Sequence, residues 1–372
     1  MIPERRFPTY EAEERRQSAL PAGVEAVPLS GTPAPALPDH VVEAVAAALA
    51  RRMKTPPVHG LAALRRALAT ELERSTGHAA DPETGILVTN GAMQALSVCF
   101  RSLLEPGDEV VVPTPCFFFG GPIHRAGGVP VYVPGSEADD WRWDVDGLER
   151  AIGPRTRALM LCNPGNPTGH VPSREDVAAA VSVAERHGLV VVTDEAYEAG
   201  VWQGATLASA FGLGGEVIVI RSLGKSLSMP QLRIGMLAGP THHVARCTRA
   251  LEWDCLRVNV ASQEAALAAL EGPREWLDRI HDGLEEDRAV AVAAVAATPG
   301  LTAVTPRAAP FLFVGSPSGH DLAAQLEQVG LPVVDGAAFE APGYARLPFG
   351  GAAETGTALW QALDSWARLH AR

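Results

Sequence analysis

The chain has 372 residues, of which 47% are hydrophobic and 20% charged, enough for one large or two medium domains with substantial cores. Its 31 basic and 43 acidic side chains leave a net charge of -12, which argues against nucleic acid or an anionic membrane as partner. The five cysteines are odd in number, scattered and without a C-x-x-C pair, which argues against a disulfide framework or a cysteine zinc site.

The N-terminal stretch "MIPERRFPTYEAEERRQSAL" is charged throughout and lacks the apolar core of a signal peptide. No later apolar run reaches transmembrane length, so a cytoplasmic protein is expected. The Pro-rich "LSGTPAPALPD" reads as extended chain crossing between domains. "DHVVEAVAAALARR" and "GLAALRRALATELER" read as helices, the first with Asp39 as its cap. Then apolar strands alternate with helices: "GILVTNG", the helix "AMQALSVCFRSLL", "EVVVPTP", "VPVYVP" and "RALMLCNPGNPTG". Ser173 and Asp176 form an S-x-x-D capping pattern at the next helix, and "LVVVTDEAY", "EVIVIRS" and "RIGMLAG" complete the set. This pattern predicts a large α/β domain over residues 41–257, with a mostly parallel sheet sandwiched by helices.

Beyond residue 257 come two helical patterns, the short strands "LTAVTP", "FLFVGSP", "LPVVDG" and "YARLPFG", and a last helix. They predict a smaller α+β domain over residues 258–372, joined by an N-terminal arm over residues 1–40. The adjacent His242 and His243 have no ligand-spaced partners in the sequence and read as a surface pair, so no metal is expected.

Gly224-Lys225-Ser226 follows an apolar run, as in a phosphate-binding loop, but such a loop needs a glycine where Val219 stands. Pro230 would also interrupt the helix that such a loop opens. Lys225 therefore needs another role, and the neighbouring strand ends suggest one. In an open α/β sheet the ligand lies beyond the carboxyl ends of the strands. The residues that follow those ends are Asn90-Gly91-Ala92-Met93, Asn163 to Gly169 with Asn166 at its centre, Asp194 with Tyr197, and Ser222 with Lys225 and Arg233. A lysine, a carboxylate, a phenol, an amide, a hydroxyl and an arginine at one edge suit pyridoxal 5'-phosphate. That cofactor has an aldehyde to hold covalently, a pyridine nitrogen to keep protonated and a phosphate to anchor. Lys225 would hold the aldehyde and Asp194 the ring nitrogen, while Tyr197 and Asn166 would bind the phenolic oxygen. Ser222, Arg233 and the amides after Gly91 would hold the phosphate.

"NPGNPTG", "DEAY" and "SLGKSLSMPQLRIG" resemble the signature blocks of the class I/II aminotransferases, the fold type I pyridoxal-phosphate enzymes. "LSGTPAPALP", "GLAALRRALA", "ILVTNGAMQAL", "LLEPGDEVVVPTPCFF" and "YARLPF" fall in the same order, so the resemblance covers nearly the whole chain. It implies a homodimer with the active site at the subunit boundary, Lys225, Asp194 and Tyr197 as catalytic residues, and an amino acid and a 2-oxo acid as substrates. By position, Phe117 would stack on the cofactor ring, Arg346 would grip the substrate α-carboxylate as a two-pronged fork, and Gly31 would approach the substrate through its backbone. The bland readings are a core ring for Phe117 in "CFFF" and a surface ion-pair partner for Arg346. No second arginine is assigned to a distal carboxylate, so dicarboxylic substrates are not favoured.

Two positions depart from the family. Gly224 stands where many relatives carry a hydroxyl residue before the lysine. Thr55 stands where a tyrosine usually reaches the partner's phosphate, a contact that Lys54 or His59 would have to replace. These departures keep open another reaction of the same cofactor, such as side-chain elimination or replacement, or oxidative decarboxylation. A non-enzymatic alternative, the sensor half of a transcription regulator, would add a basic DNA-binding domain. The motifs begin near residue 29 and the arm before them has no helix-turn-helix pattern, so transamination is the leading expectation.

Overall fold

The apolar runs form strands that are buried on both faces. In β2 (Glu109–Thr114) Val110 and Val112 face one helical layer and Val111 the other. The strands β4 (Thr156–Cys162), β5 (Val190–Asp194) and β6 (Val217–Arg221) repeat that alternation. The computed structural model describes residues 20–370, apart from 22, 51–54, 203, 318 and 320. With β1 (Ile86–Thr89), β3 (Val129–Pro134) and β7 (Gly235–Ala238) the strands build a seven-stranded sheet in the order β1-β7-β6-β5-β4-β2-β3. Neighbours are parallel except at β7, which runs antiparallel to β1 and β6.

In chain order the helices are α1 (Asp39–Ala50), α2 (Ala62–Thr76), α3 (Ala92–Leu103), α4 (Gly120–Arg125), α5 (Val145–Arg150) and α6 (Arg174–Arg186). There follow α7 (Leu223–Ser226), α8 (Thr241–Cys255), α9 (Val260–Glu271), α10 (Glu275–Ala296), α11 (Leu322–Glu327) and α12 (Ala352–His370). One face of the sheet is covered by α2, α3, α8 and α9 through Leu64, Leu68, Phe100, Leu251 and Ala265, and the other by α5 and α6 through Leu148, Val177 and Val181. Ser173 caps α6 as its sequence pattern predicts, with Asp176 N–H donating to Ser173 Oγ at 3.0 Å and Asp176 returning the bond. Asp39 differs from expectation: it is the first helical residue of α1 rather than its cap, and there its charge complements the helix dipole.

A second sheet, antiparallel in the order β10-β11-β9-β8, is built from β8 (Thr302–Ala303), β9 (Phe311–Gly315), β10 (Val334–Asp335) and β11 (Tyr344–Pro348). Leu312, Val314 and Leu347 pack there against Ala294 of α10 and Leu359, Leu363 and Trp366 of α12. Val27 and Leu29 join this smaller core, and Ser30 bridges to Gly350. In contrast, α9 and Trp276 at the start of α10 belong to the core of the larger sheet, so the change from one core to the other runs along α10. Among the described residues no helix is long and apolar enough to cross a membrane. All five cysteines are free thiols; four are buried, and Cys255 is exposed.

An ion pair locks the ends of two central strands. Glu195, directly after β5, is fully buried and accepts from Arg221 Nη2 at 3.0 Å, from Ser209 Oγ at 2.7 Å and from Ala210 N–H at 3.2 Å. Arg221, itself 2% exposed, also donates to Ser75 Oγ at 2.9 Å. Arg221→Ala would leave the Glu195 charge buried and unpaired, and is expected to lower unfolding stability by about 3–5 kcal/mol. Urea denaturation checks this; an unchanged midpoint would mean that the pair adds nothing to stability.

Candidate active site

The register of the sheet decides which side chains meet. Cys162 lies opposite Asp194, Asp194 opposite Ile220, Arg221 opposite Met236 and Thr89 opposite Gly235, so β4, β5, β6 and β1 end along one edge. The segments leaving those ends enclose a cavity of about 320 Å³. Ala92, Met93, Phe117, Asn166, Asp194, Tyr197, Ser222, Lys225 and Arg233, all singled out from the sequence, line it, together with Cys162, Pro164 and Ala196.

Gly91 opens α3 with φ +78 and no side chain caps the helix, so the first-turn amides point to whatever occupies the cavity. A Cβ at Gly91 would stand 2.8 Å from Arg233 Nη2, so only glycine lets that guanidinium lie against the helix start. Arg233 is exposed as a residue although it lines the cavity, and Met93 is likewise open to solvent. Ser222, 7% exposed, stands at the N-terminus of α7 and is not used as a side-chain cap.

Asp194 is 6% exposed, and its Oδ1 accepts from Ala196 N–H at 3.0 Å. Burial pushes its carboxyl up to about 7, opposed by that N–H and by the charge of Lys225. Lys225 Nζ donates to Thr32 Oγ1 at 2.9 Å and lies 4.9 Å from the centroid of the Tyr197 ring. Burial also raises the Tyr197 phenol, with Arg346 acting in the opposite direction. Phe117 is half-buried, stacked on Phe118 at 4.9 Å and edge-on to Phe119 at 5.8 Å, so it serves both the aromatic cluster and the cavity wall.

Arg346 comes from β11 of the smaller sheet and reaches the site through Asn166, whose Oδ1 accepts from Arg346 Nη1 at 2.9 Å. Its guanidinium is packed between the rings of Phe311 and Phe339, at 5.0 and 4.9 Å. Gly31 is not on the wall of this cavity; its nearest neighbour in the Cβ direction is Pro348, at 3.9 Å. The next residue, Thr32, touches Lys225, a contact that the hydroxyl beside Gly31 in "LSGTP" does not announce in the sequence. Thr32 and Pro33 line a second cavity, of about 410 Å³, on the other side of Lys225 and Tyr197. Glu198 also faces it, its carboxyl pushed up to about 7 by burial.

The two departures have structural settings. A Cβ at Gly224 would stand 3.2 Å from Met229 O and 3.3 Å from Pro230 Cα, tighter than ordinary contact, so the turn after the lysine closes against this glycine. Thr55 is exposed and His59 half-buried, while Lys54 lies outside the described residues.

The larger mixed sheet, the smaller antiparallel one and a lysine at the shared strand edge define a fold type I transferase. The structure superposes on the aspartate aminotransferase of Thermus thermophilus with maleate at TM-score 0.88, with 29% identity over 96% of this chain and 94% of that one. It superposes on the aromatic aminotransferase of Pyrococcus horikoshii at TM-score 0.85, with 29% identity over 96% and 98%. An aspartate aminotransferase of Geobacillus stearothermophilus is 31% identical over 358 residues, covering 92% of this chain and 91% of that protein. The family model for aminotransferase class I and II matches residues 29–363. The chain belongs to the class I and II aminotransferases, pyridoxal-phosphate-dependent enzymes that move an amino group between an amino acid and a 2-oxo acid.

Proposed function

We propose that this chain binds pyridoxal 5'-phosphate in the smaller cavity, with Lys225 as its covalent anchor and as the base of amino-group transfer. The observation that carries the reading is a buried carboxylate, Asp194, in the same cavity as Lys225 and the other donors. Such a carboxylate suits a protonated ring nitrogen, which would restore it to an anion. The rest of the donor set fits as well. The Gly91 cradle, the open amides of Ala92 and Met93, Ser222 and Arg233 supply donors for a phosphate.

When bound, the cofactor supplies an aldehyde carbon and a cationic ring that draws electrons from the substrate Cα. Asp194 holds the proton on the ring nitrogen. The Tyr197 hydroxyl and Asn166 Nδ2 would bind the phenolic oxygen, and Phe117 would pack against the ring. Arg346 grips the substrate α-carboxylate, its direction fixed by Asn166 Oδ1 and by the Phe311 and Phe339 rings. Lys225 Nζ, held by its hydrogen bond to Thr32, would be the base that takes the proton from the substrate Cα. Gly31 lies off the cavity wall, and the chain leads from it into Thr32, which touches Lys225.

We also propose a homodimer that closes the site. Arg233 and Met93 are open to solvent on the phosphate side, and Trp253, at 88% exposure, and Leu256 flank Cys255, which touches Asn90 and Gln94 there. A second copy of this chain would cover that apolar rim.

The test is the absorption spectrum of the purified protein before and after single amino acids are added without a 2-oxo acid. A yellow band that bleaches to the amine form of the cofactor with one of them is expected, and names the donor. A colourless protein that takes up no added cofactor would end the proposal. A yellow protein that bleaches with no amino acid, or regains its starting spectrum while releasing product, would keep the cofactor and reject transamination.

Asp194 also makes a pH prediction for the protein freed of cofactor. A free aspartate titrates near about 3.9, whereas the folded chain keeps this proton up to about 7. Between those values the folded state binds more protons than the unfolded one, so the contribution of Asp194 to stability is present below about 4 and lost as pH rises through about 7. Asp194→Asn should remove that loss, and its denaturation midpoint should gain on the parent's across this window. A difference that stays flat from about pH 4 to 8 would contradict the raised carboxyl.

A further inference from the structure

At the amino end of β6, on the opposite edge of the sheet from the cofactor cavity, three side chains from distant parts of the sequence converge. The antiparallel ladder of β6 and β7 places Val219 opposite Ala238, and continuing it past Gly239 and Pro240 brings Glu216 beside the first turn of α8. Successive helix positions point about 100° apart, so adjacent histidines ordinarily diverge. Here His242 Nε2 and His243 Nε2 both reach Glu216 Oε2, at 2.9 and 2.7 Å, and the two rings are 4.1 Å apart. All three donor atoms lie within 4.8 Å of one another.

We propose that Glu216, His242 and His243 form a binding site for a divalent transition-metal ion, with Zn²⁺ the natural occupant. Two imidazole nitrogens and one carboxylate oxygen suit zinc and its neighbours copper and nickel, whereas calcium and magnesium prefer all-oxygen shells. Zinc bonds of about 2.0–2.1 Å in a tetrahedron put ligand atoms about 3.3 Å apart, so the two spacings from Glu216 to the histidines have to open by only about half an ångström. His243 is 4% exposed and so is held in place before any ion arrives. His242 and Glu216 face solvent and give the ion its entry path, and the fourth coordination position is left to water. The bound ion would staple the start of β6 to the start of α8. The site is independent of the transaminase reading, since none of its residues lines the cofactor cavity.

The experiment is calorimetric titration of ZnCl₂ into the chelator-treated holoenzyme, with His242→Ala and Glu216→Gln as comparisons. Both substituted residues are solvent-facing, so the variants should keep the fold, and melting curves taken without metal verify this. One equivalent of zinc bound at micromolar concentration, weakened at least about tenfold in each variant, is expected, with no heat from MgCl₂. Unchanged zinc binding in both variants, or none by the parent below millimolar concentration, would overturn the assignment.

Discussion

Replacing Lys225 by alanine is expected to end steady-state turnover, with kcat falling by at least about ten-thousand-fold. Two functions are lost together, since the side chain is both the covalent anchor and the base that shuttles the α-proton, and positioned proton transfer alone is worth about 10²–10⁴ in rate. The fold should survive, because the side chain lines a cavity, and the contacts it gives up include a hydrogen bond to Thr32 and a contact with the Tyr197 ring. Borohydride reduction followed by mass analysis separates the two losses from misfolding. The parent should acquire a stable cofactor adduct at Lys225, and the variant should bind cofactor without one. Retained steady-state turnover by the purified variant would remove Lys225 from the mechanism.

Arg346→Ala is the second large effect. The arginine is packed between two aromatic rings and fixed by Asn166, so its fork is preorganised for a carboxylate rather than mobile at the surface. Truncating one partner of such a desolvated charge pair costs about 2–5 kcal/mol, which corresponds to a loss in kcat/KM of about thirty-fold to five-thousand-fold. Cofactor affinity should change far less, because the phosphate and ring contacts lie on other segments. Arg346→Lys should recover only part of the loss, since an ammonium has no planar fork to match two oxygens. Equal losses of substrate and cofactor binding, read by kinetics and by cofactor titration, would argue against a carboxylate role.

Much of this was legible in the sequence because the relevant residues sit directly after strands. A buried strand announces itself by its apolar run, and the polar residues that follow it are then placed at the sheet edge by topology alone. Asp194, Asn166, Ser222 and Lys225 were all readable in this way, as was the Ser173 cap, whose signal is confined to four residues. The contacts that escaped were between segments far apart in sequence. Thr32 and Lys225 are separated by 193 positions, and Arg221 and Ser75 by 146. Glu195 directly follows Asp194, and only the structure shows it buried against Arg221. The cluster at His242 and His243 is hidden for the same reason: their partner Glu216 lies just before β6, and only the β6–β7 register brings it near. The place of α9 was also hidden, because an alanine-rich helix carries little information about which of two cores it will join.

The 22-residue helix α10 is about 33 Å long, with Trp276 near one end in the core of the larger sheet and Ala294 and Val295 near the other in the core of the smaller. It acts as a beam with one end set in each block. Lys225 stands on the first block and Arg346 on the second, so the span between proton shuttle and carboxylate grip is set by the angle at which that beam leaves the larger core. A few degrees of inclination there, multiplied by its length, move the grip by ångströms while both cores keep their packing.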